Sequence, residues 1–133
     1  MLVVDASVLA VALADDGVDG RAARARLRGE DLVAPDLLDL EVVSVLRGQM
    51  IAGSLEAGRA ELALNDLSAM PLKRAPHRPL WQRCWELREN LTPYDASYVA
   101  LAEALDVLLL TGDRRLVRAP GPKCQIELLR PTH

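Results

Sequence analysis

Four carboxylates stand in this chain where its apolar pattern has no place for them. Asp5 ends the run Leu2-Val3-Val4, and Asp113 follows Val107-Leu108-Leu109-Leu110 after only Thr111-Gly112. Glu41 interrupts a helical stripe, with Leu37, Leu38, Ser44 and Val45 three and four residues away on its own face. Asp95 falls in the first turn of a further predicted helix. An unpaired carboxylate in apolar surroundings costs several kcal/mol or takes up a proton. Two carboxylates about 6 Å apart repel by about 3 kcal/mol at an effective dielectric of about 20. Four gathered together would need positive charge between them, and a hard divalent cation with oxygen ligands is the simplest source. Mg²⁺ suits such a site and Mn²⁺ accepts similar ligands. The chain offers no Cys/His cluster for zinc, and His77 and His133 have no ligand spacing.

Each acid also has a plain structural role. Asp5 and Asp113 both sit at predicted strand-to-helix junctions, where a carboxylate caps a helix. Thr92-Pro93-Tyr94-Asp95 reads as a capping arrangement, and Glu41 would serve in a buried ion pair with an arginine. The signal lies in the combination of the four.

Composition sets bounds on what surrounds them. A chain of 133 residues, half of them hydrophobic, is expected to fold as one domain over 1–133 with a sizeable core. Phe is absent and aromatics make up 3%, which argues against a wide base-stacking surface. The net charge is −3; with the four acids set aside, 15 acidic residues face 16 basic ones. Net charge therefore neither excludes nor suggests a polyanionic substrate. Cys84 and Cys124 form no framework and read as reduced thiols. Val8 to Ala14 looks like a short signal core but lacks a basic flank and runs into Asp15-Asp16. No apolar stretch approaches the roughly 20 residues needed to span a bilayer. A cytoplasmic protein without a membrane partner is expected.

Strands and helices alternate along the chain. Predicted strands are Leu2 to Asp5, Leu32 to Ala34 closed by Pro35, an edge strand at Leu72 to Ala75, Val107 to Leu110, and Gln125 to Leu129. Helices are predicted from Ala6 to Ala14, from an Asp19 cap to Leu27, from an Asp36 cap to about Met50, and from a Ser54 cap to about Ala69. Three more follow: from Pro79 to Asn90, from Thr92-Pro93 to about Leu105, and a short one after Asp113. This alternation predicts an α/β fold with a central, mainly parallel sheet covered on both faces. Such sheets carry their sites beyond the carboxyl ends of the strands, near a topological switch point. Asp5 and Asp113 both lie there.

At this point the residues resemble a known family. Val3-Val4-Asp5-Ala6-Ser7, Pro35 to Leu46 around Glu41, Leu91 to Ala96 around Asp95, and Leu109-Leu110-Thr111-Gly112-Asp113 are similar to the motifs of PIN-domain proteins. Within these, the chain resembles VapC-type toxins of bacterial VapBC toxin–antitoxin pairs, in order and over essentially its whole length. The resemblance implies a three-layer α/β/α sandwich and a Mg²⁺- or Mn²⁺-dependent endoribonuclease. It carries metal-ligand roles to Asp5, Glu41, Asp95 and Asp113, and supporting hydroxyl roles to Ser7 and Thr111. Some relatives add another acid just beyond the fourth; here Arg114, Arg115 and Leu116 follow, which leaves a second metal position open. The resemblance further implies an RNA substrate, a VapB-type antitoxin and a toxin homodimer.

Arg114 and Arg115, with Arg118, adjoin Asp113 and are candidates for RNA phosphate contact. Arg21, Arg24 and Arg28 share a helical face that reads as solvated. Trp81-Trp85 and Tyr94-Tyr98 are each four apart, a spacing that reads as core or dimer packing before base stacking. Two other readings compete with the nuclease. One is a phosphatase with an aspartyl nucleophile at Asp5, against which stands Ser7 where a second aspartate is expected. The other is a catalytically inert PIN-like module that binds RNA or protein. A P-loop enzyme is excluded by the absence of a Gly-rich lysine motif.

Overall fold

The apolar runs pair into a sheet. The computed structural model describes residues 1–130, and within them five strands form: β1 (Leu2–Val4), β2 (Leu32–Pro35), β3 (Leu72–Ala75), β4 (Leu108–Thr111) and β5 (Ile126–Leu128). All neighbours are parallel, in the order β3-β2-β1-β4-β5. β1 is the central strand and pairs with β4, Val3 opposite Leu109 and Val4 opposite Leu110, all four of them buried. Continuous Val/Leu runs suit strands covered on both faces.

Seven helices flank the sheet among the described residues: α1 (Ala6–Ala14), α2 (Val18–Leu27), α3 (Leu38–Ile51), α4 (Ala57–Ala69), α5 (Trp81–Glu86), α6 (Pro93–Leu105) and α7 (Arg114–Arg118). α1 packs on α2, α3 and α4, while α6 lies against β1, β2 and β4 and carries α5. The chain winds from β1 outward to β3 and then crosses to β4 on the other side of β1. With right-handed crossovers, that reversal puts the two helical groups on opposite faces. The predicted α/β/α sandwich is the observed one, and its sheet is wholly parallel. No helix of the described residues is long and apolar enough to cross a membrane.

Several predicted boundaries move, each for a local reason. Asp36 does not cap α3; its N–H donates to Ala75 O at 2.9 Å and the helix starts at Leu38. Ser54 does not cap α4, whose cap is Glu56. It closes α3 instead: Gly53 adopts φ +83° and donates to Met50 O, while Ser54 N donates to Gln49 O, a Schellman closure. The Pro79 helix is a 3₁₀ turn at Arg78–Leu80 followed by α5, which stops at Glu86 rather than Asn90. Asp19 lies in the first turn of α2, after its Gly17 cap. His133 falls outside the described residues.

Gly20 lies inside α2 because the chain entering the helix leaves no room for a side chain. A Cβ there would sit 1.7 Å from the Asp15 carbonyl oxygen, which is backbone and also accepts from Arg24 Nη1 at 2.9 Å. Gly20→Ala is expected to cost about 2 kcal/mol through forced displacement of that segment. Urea unfolding should show a lower midpoint with unchanged slope; a wild-type midpoint would mean the Asp15 turn yields freely.

Candidate active site

Asp5 is a helix cap that also lines the candidate site. It ends β1 and opens α1, its Oδ1 accepting from Val8 N at 3.2 Å and from Ser7 Oγ at 2.5 Å. Thr111, the last residue of β4, donates its hydroxyl to Asp5 Oδ2. The same two hydroxyls tie down the next loop, because Gly112 N donates to Ser7 Oγ at 2.9 Å and Asp113 N to Thr111 Oγ1 at 3.0 Å. Ser7 and Thr111 thus lock the ends of β1 and β4 together. The junction is the switch point of the sheet, where ligands bind in open α/β folds.

The other acids arrive from three helices. Asp113 caps α7, accepting from Arg115 N at 2.9 Å and from Arg115 Nη2 at 3.0 Å. Asp95 enters from the first turn of α6, whose Thr92 cap accepts from Asp95 N at 3.2 Å. Glu41 enters from α3 and, among the described residues, pairs with no arginine: Tyr98 Oη donates to its Oε1 at 2.5 Å. All four acids, with Ser7 and Tyr98, line one cleft of about 230 Å³. A larger groove, of about 620 Å³, lies elsewhere, between α1, α2 and α4; its Arg59 is already paired with Asp16 at 2.9 Å.

Electrostatics divide the acids three to one. Asp5 is buried, and desolvation holds its carboxyl above the usual range despite bonds from Ser7, Thr111 and Val8. Glu41 is raised chiefly by burial, with the charges of Asp95 and Asp5 adding to it. Asp95 is raised by burial and then by Asp113. Asp113 alone of the four is held below the usual range, by its bond from Arg115. Mutual repulsion across the cleft, predicted from the sequence, is thus part of the geometry.

The donor set is all carboxylate and hydroxyl oxygen, which fits a hard divalent cation. Among the described residues, no three His, Cys, Asp or Glu side chains are grouped closely enough to hold a metal as they stand. Their oxygens are turned onto protein partners: Asp5 onto Ser7 and Thr111, Glu41 onto Tyr98, and Asp113 onto Arg115. Rotation of these cleft-lining groups onto a cation would also relieve their repulsion.

The chain's motifs have recognised counterparts. A model of the PIN domain matches residues 2–122. "Ribonuclease VapC1" of Mycobacterium tuberculosis is 46% identical over 129 residues, covering 96% of this chain and 97% of that protein. The chain belongs to the PIN-domain family. Its VapC-type relatives extend further, to "Ribonuclease VapC9" of the same organism, 41% identical over 97% of this chain and 98% of that one. Among solved structures, PAE2754 from Pyrobaculum aerophilum superposes on this PIN domain with a TM-score of 0.72 at 26% identity, over 94% of this chain and 81% of that one.

The aromatic residues spaced four apart divide between core and surface. Tyr98 is core, as its spacing predicts, and its hydroxyl is in addition hydrogen-bonded to Glu41. The available signal is its position three residues beyond Asp95 on α6. Trp81 and Trp85, whose spacing reads as core or dimer packing, are 61% and 64% exposed, so neither is core.

Proposed function

We propose that this chain is a metal-dependent endoribonuclease, the toxin of a VapBC-type pair, acting as a single domain in the cytoplasm. The observation that carries the reading is the convergence of Asp5, Glu41, Asp95 and Asp113 on one cleft at the β1/β4 switch point. Near-full-length identity to proteins named VapC ribonucleases supports the substrate class.

In this reading Asp5, Asp95 and Asp113 hold Mg²⁺ or Mn²⁺, with Glu41 reaching the ion directly or through water. The bound ion would supply charge neutralisation at the scissile phosphate and an acidified water. Ser7 and Thr111 fix the orientation of Asp5, and Tyr98 fixes that of Glu41. Arg115 has two roles available: its guanidinium neutralises Asp113 in the free protein, and it is exposed enough to turn to an RNA phosphate. A VapB-type antitoxin and a second copy of the chain complete the proposed assembly. Exposed Leu40, Val43 and Ile51 on α3 and Leu62 on α4 offer apolar surface for such contacts.

Incubation with single-stranded RNA beside a phosphomonoester separates this reading from the phosphatase. RNA fragments without phosphate release are expected; phosphate release with intact RNA would overturn it. Replacing Arg114 and Arg115 with Ala should weaken RNA binding uniformly across sequences. The slope of log affinity against log salt should flatten by about 0.7 for each phosphate no longer neutralised. An unchanged slope would remove both arginines from the interface.

A further inference from the structure

All four aromatic side chains of this chain lie on α5 and α6. Tyr98 is buried in the acid cleft, but Trp81, Trp85 and Tyr94 remain 61%, 64% and 62% exposed. Trp81 and Trp85, one helical turn apart, line a groove of about 580 Å³ that also reaches Thr92 and Pro93. The Arg88 guanidinium lies over the Trp85 ring, 4.4 Å from its centroid. Thr92 is bonded to Asp95 N, and Asp95 lines the acid cleft. Groove and cleft share no lining residue, but both border the start of α6, with Tyr94 between them in the chain.

We propose that the Trp81/Trp85/Arg88 groove is a base-stacking subsite that holds an unpaired RNA base next to the acid cleft. The inference rests on the ribonuclease reading above and adds to it where the strand leaves the cleft. Aromatic faces interleaved with a stacked guanidinium suit a nucleobase and its phosphate, and stacking tolerates any base. Tryptophan beside arginine also suits a protein partner, so it is the neighbouring acid cleft that favours RNA here. The exposed aliphatic side chains of α3 and α4 are not among the residues that line this groove. The shared helix start supplies the register: a strand whose phosphate sat at the four acids would pass the first turn of α6 on its way to the groove.

The chain carries two tryptophans, both in this groove, so its intrinsic fluorescence reports the subsite directly. Short single-stranded RNA of mixed sequence added to the Asp5→Asn protein should quench that fluorescence saturably. In cleavage assays, Trp81→Ala/Trp85→Ala should raise KM roughly ten-fold with kcat unchanged. Trp81→Phe/Trp85→Phe, which keeps a stacking face, should restore KM. RNA bound by anisotropy without quenching, together with an unchanged KM, would overturn the subsite. A fluorescence shift that tracks protein concentration without RNA would overturn it too, marking a self-association face. Quenching by RNA with no cleavage by the wild-type protein would sink the ribonuclease reading alone and leave the groove as an RNA-binding surface.

Discussion

Asp5→Asn is expected to lower RNA cleavage by at least about 10³-fold, or about 4 kcal/mol of transition-state stabilisation, while raising the thermal midpoint of the metal-free protein. The two effects have one cause. Asp5 is buried at the meeting of β1 and β4, and its carboxylate is desolvated and repelled by Asp95. Asparagine keeps an oxygen to accept from Val8 N and Ser7 Oγ, and the Thr111 hydroxyl can turn to accept from its amide. What disappears is the charge, which burial disfavours and a bound cation would require. Functional sites commonly hold such locally unfavourable groups, so reduced activity with gained stability marks a site residue. Circular dichroism melts beside single-turnover cleavage check both halves. A variant that melts earlier and cuts normally would make Asp5 a helix cap and nothing more.

The second large effect is metal-linked stability with an inverted pH dependence. Asp5, Glu41 and Asp95 are all held above the usual carboxylate range. A carboxyl raised on folding contributes stability below its unfolded pKa and loses that contribution as pH rises through its folded value. From these three, the metal-free protein should gain as pH falls from neutrality into the acid range. Asp113, Glu103 and Glu127 are held low by arginines and act in the opposite sense, their contribution present above the unfolded value and lost as pH falls through the folded one. Mn²⁺ at about a thousand times its Kd should add about 4 kcal/mol at neutral pH. That increment should shrink as protons compete for the same oxygens. Melts at pH 7.5 and pH 5, with Mn²⁺ and with EDTA, test this. A metal increment equal at both pH values, or retained in Asp5→Asn, would contradict the four-acid site.

Much of the site is legible in the sequence because its acids break patterns. Asp5 and Asp113 end apolar strand runs, so sheet topology alone puts them on one edge, and the structure joins them through Ser7 and Thr111. Glu41 is visible as a charge in a leucine stripe, but its partner is not. Tyr98 lies 57 residues away on α6, and only tertiary packing brings the pair together. Arg115 turning back onto Asp113 is a rotamer, which no spacing rule fixes.

The failures in the fold are of one kind. Asp36 and Ser54 have the side chains of helix caps, yet Asp36 follows a strand still pairing with β3 and Ser54 serves the helix behind it. A capping residue announces a junction without saying which side of it the hydroxyl or carboxylate serves. Trp81 and Trp85 share a helical face, as their spacing predicts, but periodicity cannot tell a core face from one left open. That open face is where a strand leaving the acids would run.

The most direct test is cleavage of RNA by the purified, partner-free protein in Mg²⁺ or Mn²⁺, in EDTA, and in EDTA overcome by excess Mg²⁺. Fragments that appear with metal, vanish with chelator and return with excess metal are the expected result. Cleavage that persists in EDTA, or none by folded protein with metal present, would contradict it.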